Sequence, residues 1–149
     1  MVGLRSVAAF LAISSGCGPD QSEKPIDTLT VEVTGRGMEW IVRYPGEDGV
    51  LGSADDVTDR QNLHVPAGAD TTVVLKSADY VYSFSLPAFE AREIAVPDLV
   101  FSLRFKPETP GEYELQGDNM CGGTHSALKG KLIVEPAYAF RAWLKERRK

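Results

Sequence analysis

The amino-acid sequence predicts an all-β domain, an antiparallel Greek-key sandwich that ends in a short helix. Runs of alternating apolar and β-branched residues are short, and turn-forming residues separate them about every 8–12 residues. No apolar repeat of helical period lies between these runs. The chain has 149 residues, of which 43% are hydrophobic, so it is long enough for one domain with its own core.

Each strand is predicted by alternation of side-chain types followed by a chain breaker. Residues 28–34 alternate β-branched residues with others, and residues 38–44 are aromatic and β-branched until Pro45. Residues 46–59 are rich in Gly, Asp and Ser and are expected to form one loop, and residues 65–68 a turn. The predicted strands are residues 28–34, 38–44, 71–76, 80–86, 99–105, 112–116 and 131–135.

The C-terminal segment has a different period and predicts a helix over residues 137–147. Pro136 suits the start of a helix, because the amide hydrogen that proline lacks has no partner at that position. Phe140, Trp143 and Leu144 fall at helical spacing. They give the helix one apolar face, which is expected to pack on the sandwich.

The first residues have the composition of a bacterial lipoprotein signal peptide, predicted over residues 1–16. Arg5 supplies a positive charge, residues 7–13 form an apolar stretch too short to span a bilayer, and small residues precede Cys17. We expect lipidation of Cys17, which anchors a protein to the periplasmic side of a bacterial membrane. Secretion with a free Cys17 is the alternative. Residues 17–27 are then a polar tether.

The domain proper is predicted over residues 28–149, and its composition excludes some classes of function. The whole chain has a net charge of −5 and a sequence pI near 5.0. Nonspecific nucleic-acid binding needs a basic face, so no nucleic-acid partner is expected. The sequence also has no Ser/His/Asp triad pattern and no phosphate-binding loop, so no hydrolase is predicted.

Two side chains on one predicted loop, Cys121 and His125, are candidate metal ligands. With Cys17 lipidated, Cys121 is the remaining cysteine and has no partner for an internal disulfide. Gly122 and Gly123 allow the loop to bend tightly between the two side chains. A thiolate with an imidazole suits copper or zinc.

Several separated segments resemble the soluble CuA domain of cytochrome c oxidase subunit II, in the same order along the chain. They read VTGRGMEWIVRYPGEDGVLGSADDVT, NLHVPAG, VVLKSADYVYSF, FKPETPGEYELQGDNMCGGTHSALKGKLIVE and PAYAFRAWLK. The resemblance covers residues 28–145, about 118 residues. It implies a cupredoxin fold on the periplasmic side of the membrane, with copper as cofactor. It also implies a c-type cytochrome or oxidase subunits as partners.

Most of the copper ligands in this family pattern are replaced in the chain. The pattern D-x-x-H-S-F gives the first ligand, a histidine, and Tyr82 stands in its place. The pattern C-x-E-x-C-G-x-x-H-x-x-M gives the ligand loop. Here Gly117 replaces its first cysteine and Leu128 replaces its methionine. The resemblance therefore implies a degenerate site.

Cys121 and His125 are the side-chain ligands of the pattern that remain. Asn119 replaces the glutamate, which contributes only its backbone carbonyl in the family, so Asn119 can do the same. A binuclear centre needs two bridging thiolates, and no intact CuA centre is expected. We expect at most a mononuclear copper site of Cys121 and His125, with Tyr82 or the Asn119 carbonyl as further donors.

These residues leave three functions open. The leading hypothesis is a periplasmic, oxidase subunit II-like cupredoxin that binds copper and transfers electrons at a reduced site. The alternatives are a metal-free structural or interaction protein and a Cu(I) carrier for oxidase assembly. Independent oxidase activity is not expected, because the family supplies the electron-entry subunit of a larger enzyme.

Overall fold

The computed structural model describes residues 24–119 and 128–148, which form two facing β-sheets and one α-helix. The predicted all-β architecture with a C-terminal helix is confirmed. The elements are β1 (Thr28–Arg36), β2 (Glu39–Tyr44), β3 (Val57–Arg60), β4 (Leu63–Pro66), β5 (Asp70–Ser77), β6 (Tyr82–Leu86), a 3-10 turn (Pro87–Phe89), β7 (Ala91–Ala95), β8 (Phe101–Phe105), β9 (Gly111–Asn119), β10 (Gly130–Glu135) and α1 (Ala137–Arg147).

Strand pairing is mixed in both sheets. The first sheet has the order β3-β2-β1-β5-β8, and the second has the order β4-β10-β9-β6-β7. β1 pairs with β5 in parallel, and so does β10 with β4, while the other pairs are antiparallel. The expectation of a wholly antiparallel sandwich is therefore wrong. Side chains alternate with period two in both kinds of strand, so the sequence pattern does not distinguish them.

Three strands lie outside the predicted set, and each is at the edge of a sheet. β3 falls within the predicted loop at residues 46–59, β4 overlaps the predicted turn at 65–68, and β7 has no predicted counterpart. These strands have only four or five residues, too few for a clear alternation. Pro66 is tolerated in β4 because an edge strand is hydrogen-bonded on one side only.

The core lies between the sheets and is built from alternate residues of the central strands. In β1 and β5 the inward side chains are valine, leucine and threonine, and their neighbours face solvent. Burial of each large apolar side chain contributes about 1.5–3 kcal/mol. Fully buried members include Val31, Val33, Trp40, Tyr44, Leu75, Tyr82, Phe84, Leu86, Leu115, Leu128 and Leu132.

Helix α1 closes the edge of the sandwich beside β3 and β4. The predicted helix at residues 137–147 is confirmed, and Phe140 on its apolar face is buried. Trp143 packs edge-on against Tyr44 with 5.0 Å between ring centroids. Within the described ranges, no helix is both long and apolar enough to cross a membrane.

Candidate metal centre

One end of the sandwich carries the described part of the candidate site. β6 begins there at Tyr82, β9 ends there at Asn119, and these two residues are paired in register. The tight turn between β1 and β2 lies at the same end, because the backbone N–H of Met38 donates to Tyr82 Oη over 3.4 Å. The two positions named as possible further donors thus lie side by side on neighbouring strands.

Other predicted features fall outside the described residues. These are the candidate ligands Cys121 and His125, the lipidation site Cys17 and the signal peptide at residues 1–16. The predicted tether at residues 17–27 is described only in its last part. Copper ligation and lipidation therefore stay predictions.

Hydrogen bonds hold the phenol of Tyr82 in one place. Its hydroxyl donates to Asp79 Oδ1 over 2.6 Å. The same oxygen of Asp79 accepts from the backbone N–H of Tyr80 over 2.8 Å, and Oδ2 accepts from that of Gly37 over 2.6 Å. One carboxylate thus joins β6, the loop before it and the β1–β2 turn.

This network raises the pKa of Tyr82 and lowers the pKa of Asp79. Burial, and then the hydrogen bond to Asp79, raise the pKa of Tyr82 to about 12. Partial burial opposes ionisation of Asp79. The hydrogen bonds from Tyr82, Gly37 and Tyr80 outweigh it and hold the pKa of Asp79 below its ordinary value. At neutral pH the pair is a carboxylate with a phenol that keeps its proton.

The ring of Tyr82 fills a space left by a glycine in the facing sheet. A Cβ atom built on Gly35 would lie 2.3 Å from Tyr82 Cδ2, so only glycine fits beneath the ring. Trp40 packs edge-on against Tyr82 at 5.6 Å between centroids and against Phe84 at 5.3 Å. The orientation of the phenol is therefore fixed by packing as well as by hydrogen bonds.

Gly117, which replaces the first cysteine of the family pattern, is also tightly enclosed. A Cβ atom there would lie 2.7 Å from Trp40 Nε1 and 2.9 Å from the Cβ of Leu128. Trp40 and Leu128 are both fully buried. Trp40 Nε1 is a buried donor with no hydrogen-bond partner in the described part of the chain. Trp40 and Leu128 thus occupy the space beside this position.

The residues present do not fit a binuclear copper centre. Such a centre needs two thiolates, but Gly117 has no side chain and its surroundings are filled. At the position of the family's histidine, the Tyr82 hydroxyl donates a hydrogen bond to Asp79 and keeps its proton. Leu128, at the position of the methionine, has no donor atom on its buried side chain. Within residues 24–119 and 128–148, no three His, Cys, Asp or Glu side chains are grouped to hold a metal ion.

A second polar cluster, not anticipated from the sequence, lies beneath α1. The ring of His64 in β4 stacks on Trp143, with centroids 4.1 Å apart and planes at 12°. His64 Nε2 lies 3.9 Å from a carboxylate oxygen of Asp59, and Nδ1 lies 3.6 Å from one of Glu135. Its backbone N–H donates to Tyr44 Oη over 2.7 Å. Leu63 and Val65 on either side of His64 place it on the other face of the strand, so its burial beneath α1 had no signal in the sequence. The spacing of Asp59 and Glu135 gave none either.

Burial controls the protonation of this cluster. Desolvation, opposed by the nearby carboxylates of Glu135 and Asp59, lowers the pKa of His64 below its ordinary value. Burial also raises the pKa of Tyr44. His64 Nδ1 and Glu135 Oε2 are buried and have no hydrogen-bond partner within the described residues. The imidazole is therefore neutral when α1 is docked at neutral pH.

The sequence is similar to that of known proteins of one family. The family model for the cytochrome c oxidase subunit II periplasmic domain matches residues 29–135. The alternative cytochrome c oxidase subunit 2 of Bradyrhizobium diazoefficiens is 29% identical over 146 residues, covering 83% of this chain and 53% of that protein. Cytochrome c oxidase subunit 2 of Thermostichus vulcanus is 33% identical over 134 residues, covering 90% of this chain and 38% of that protein. The chain thus spans about half or less of the length of these relatives.

Solved structures share the fold. The periplasmic domain of subunit II of cytochrome oxidase (CoxB) of Bradyrhizobium japonicum has a TM-score of 0.71 and 22% identity, covering 83% of this chain and 96% of that chain. The same kind of domain, in a mixed disulfide with the thioredoxin-like protein TlpA, has a TM-score of 0.67 and 23% identity, covering 83% and 94%.

The two sheets and their order define a cupredoxin-like sandwich of the kind found in that periplasmic domain. The protein belongs to the family of cytochrome c oxidase subunit II periplasmic domains.

Proposed function

We propose that this protein is a periplasmic, oxidase subunit II-like domain that binds one copper ion through Cys121 and His125 and transfers single electrons. The packing at the end of the sandwich that holds Tyr82 and Gly117 supports this proposal. Gly117 and Tyr82, which stand in place of family ligands, are each packed against other residues or hydrogen-bonded to them. Two loop donors remain, and one thiolate with one imidazole suits a single copper ion.

The Asn119 carbonyl is the further donor that we propose. Asn119 ends β9, one residue before the segment that carries the two loop ligands. Copper would supply one-electron redox chemistry there. The described residues contribute a buried aromatic pair, Trp40 and Phe84, and Trp40 lies beside Gly117 in the strand that leads to the loop.

We also propose that the domain is attached to the periplasmic face of the membrane through Cys17, or is secreted. The tether enters at Lys24, whose carbonyl accepts a hydrogen bond from Arg141 in α1. β1 then runs from Thr28 to Arg36, and its length separates the tether from the candidate centre by roughly 26 Å. That distance leaves the centre accessible to a c-type cytochrome or to oxidase subunits, which are the proposed partners.

A metal-free scaffold is the second candidate function. It is favoured by one observation: Tyr82, Asp79 and Trp40 at this end of the sandwich are held by packing and by hydrogen bonds to one another and to the backbone. A protein of this kind would act through its surface, as a structural or interaction partner.

Copper titration of the chain carrying Cys17→Ser separates these functions, because Cys121 is then its one thiol. With one equivalent of Cu(II), we expect a strong thiolate-to-copper absorption band and a four-line electron spin resonance signal. Cys121→Ser should abolish the band and His125→Ala should weaken binding. Binding should also raise the melting temperature.

A seven-line signal from two coppers would refute the single-copper site. A colourless sample with a free thiol would favour the metal-free scaffold, or a Cu(I) carrier if Cu(I) binds tightly.

A further inference from the structure

The hydroxyl of Tyr82 reaches from one sheet to the other. Tyr82 begins β6 in the second sheet, and its hydroxyl accepts from Met38 in the β1–β2 turn of the first sheet over 3.4 Å. The same hydroxyl donates to Asp79 over 2.6 Å. The phenol therefore connects the two sheets at the end that precedes the Cys121 segment.

Asp79 receives three donors on its two oxygens. They are the Tyr82 hydroxyl at 2.6 Å, the Gly37 N–H at 2.6 Å and the Tyr80 N–H at 2.8 Å. Hydrogen bonds to an ionised carboxylate are roughly twice as strong as those between neutral groups. A carboxylate satisfied in this way remains charged, so its strongest side-chain donor, the phenol, remains protonated.

Copper coordination by Tyr82 would require all of this to be undone. The phenol would lose its proton, and the phenolate would lie beside the charged Asp79 carboxylate, which repels it. The ring would also have to turn, although it rests on Gly35 and packs against Trp40. Each of these steps opposes ligation.

We infer that Asp79 is a positioning residue: its hydrogen bond holds the Tyr82 ring against Gly35 and Trp40 and thereby keeps the hydroxyl out of the copper coordination sphere. The Asp79–Tyr82 pair fastens the two sheets at this end in the absence of metal. The statement about coordination rests on the proposed copper function, whereas the statement about fastening does not.

The fastening is tested on chelator-treated protein. Tyr82→Phe removes the hydroxyl and should lower the melting temperature by several degrees. Tyr80→Phe is the matched control, since Tyr80 is half exposed and its ring lies 6.3 Å from that of Tyr82. It should shift the melting temperature by less than about one degree. Equal shifts for the two variants would overturn the fastening role.

Exclusion from copper is tested by spectroscopy in the Cys17→Ser background. With Cu(II) added, Tyr82→Phe should keep the absorption band of the parent. Asp79→Ala should gain a phenolate-to-copper band, and the double change Asp79→Ala with Tyr82→Phe should lose that gain. Asp79→Asn keeps one acceptor oxygen, so its phenolate-to-copper band should be weaker than that of Asp79→Ala. This second variant keeps the test decisive if Asp79→Ala does not fold. Loss of absorption in Tyr82→Phe would show that Tyr82 is a ligand and overturn the inference. If the parent binds no copper, the proposed function fails while the chelator-treated comparison still decides the fastening role.

Discussion

The end of the sandwich around Tyr82 and the edge beneath α1 both bury polar aromatic side chains. The two regions differ in how those side chains are hydrogen-bonded and in how their protonation depends on folding. At the first, the phenol gives its hydrogen bond to Asp79, which is itself satisfied by backbone donors. At the second, His64 Nδ1 faces Glu135 Oε2 over 3.6 Å, and neither atom has a hydrogen-bond partner within the described chain. The first region keeps one protonation state near neutral pH, whereas folding of the second is coupled to proton release, because burial lowers the pKa of His64.

The comparison also separates hydrogen bonding from packing as sources of stability. The Tyr82 region combines a charge-assisted hydrogen bond with a ring seated on Gly35. The His64 region depends on the stack with Trp143, because Nδ1 of His64 is buried and has no hydrogen-bond partner among the described residues. The two regions should therefore respond to different perturbations.

The largest loss of stability is expected from removal of Trp143, which is the α1 member of the stack with His64. Trp143 contacts His64 at 4.1 Å and Tyr44 at 5.0 Å between ring centroids. Trp143→Ala should lower the free energy of unfolding by about 3 kcal/mol, the lower part of the range for aromatic truncations, because Trp143 is half-buried. Urea denaturation measures the loss. Lys145→Ala on the exposed side of the same helix is the control, and an equal loss there would show that the loss does not come from the stack.

The next effect comes from filling the space beneath Tyr82. Gly35→Ala places a Cβ atom 2.3 Å from Tyr82 Cδ2 if nothing moves. Overpacking of this kind costs about 1–3 kcal/mol, measured by urea denaturation. The outward-facing neighbour Thr34 provides a control, since Thr34→Ala meets no such contact. The penalty should shrink when Tyr82→Ala is combined with Gly35→Ala, and a penalty unchanged by that combination would exclude the ring as its cause.

Acidification should affect the His64 region and leave the Tyr82 region unchanged. Burial lowers the folded-state pKa of His64, so the unfolded chain takes up the proton more readily. The stability that His64 contributes is present above pH 6.5 and falls as the pH drops from 6.5 toward the folded-state pKa. The groups facing the ring are Asp59 on β3, Glu135 on β10, Tyr44 on β2, and Trp143 and Arg147 on α1.

Urea denaturation between pH 7.5 and pH 5 measures this dependence. His64→Gln should flatten the profile in that window, because it removes the titrating group and keeps a side chain of similar length. Tyr82→Phe should keep the slope of the parent. A parent whose stability rises on acidification in this window would show that Glu135 and Asp59 outweigh burial, contrary to the prediction.

Much of the fold was predictable from local sequence signals, and the failures have physical causes. The seven predicted strands overlap observed ones, because each has one buried face and alternates clearly. The edge strands β3, β4 and β7 were missed because they are short, and parallel pairing was missed because alternation carries no direction.

The candidate site was predictable only in its composition. The replacement of a histidine by Tyr82 is visible in the sequence, and so is the loss of a cysteine at Gly117. The hydrogen bond from Tyr82 to Asp79 could not be predicted, because a separation of three residues in a loop does not fix the distance between two side chains. The Tyr82–Gly35 contact joins residues from different sheets, and only the folded chain brings them together.

The smallest predicted effects concern two ion pairs with the same length. Arg147–Asp59 and Lys131–Glu112 both measure 2.7 Å, but the Asp59 side chain is 11% exposed while those of the second pair are 60% and 61% exposed. Arg147 also lies over the Trp143 ring at 5.4 Å. Arg147→Ala should cost about 1 kcal/mol and Lys131→Ala less than about 0.5 kcal/mol in urea denaturation, because solvent screens the exposed pair.

Removal of Arg147 should also change the pH profile, which ties this ion pair to the His64 region. Burial lowers the pKa of His64 most, and the positive charge of Arg147 lowers it further. Without that charge, the carboxylates of Asp59 and Glu135 would hold a proton on the imidazole more readily. Arg147→Ala should therefore lose less stability on acidification than the parent, although it starts from a lower value at pH 7.5. Lys131→Ala should keep the parental slope, since Lys131 is not among the groups that act on His64. Parallel profiles for the parent and Arg147→Ala would show that the Arg147 charge does not act on the titration of His64.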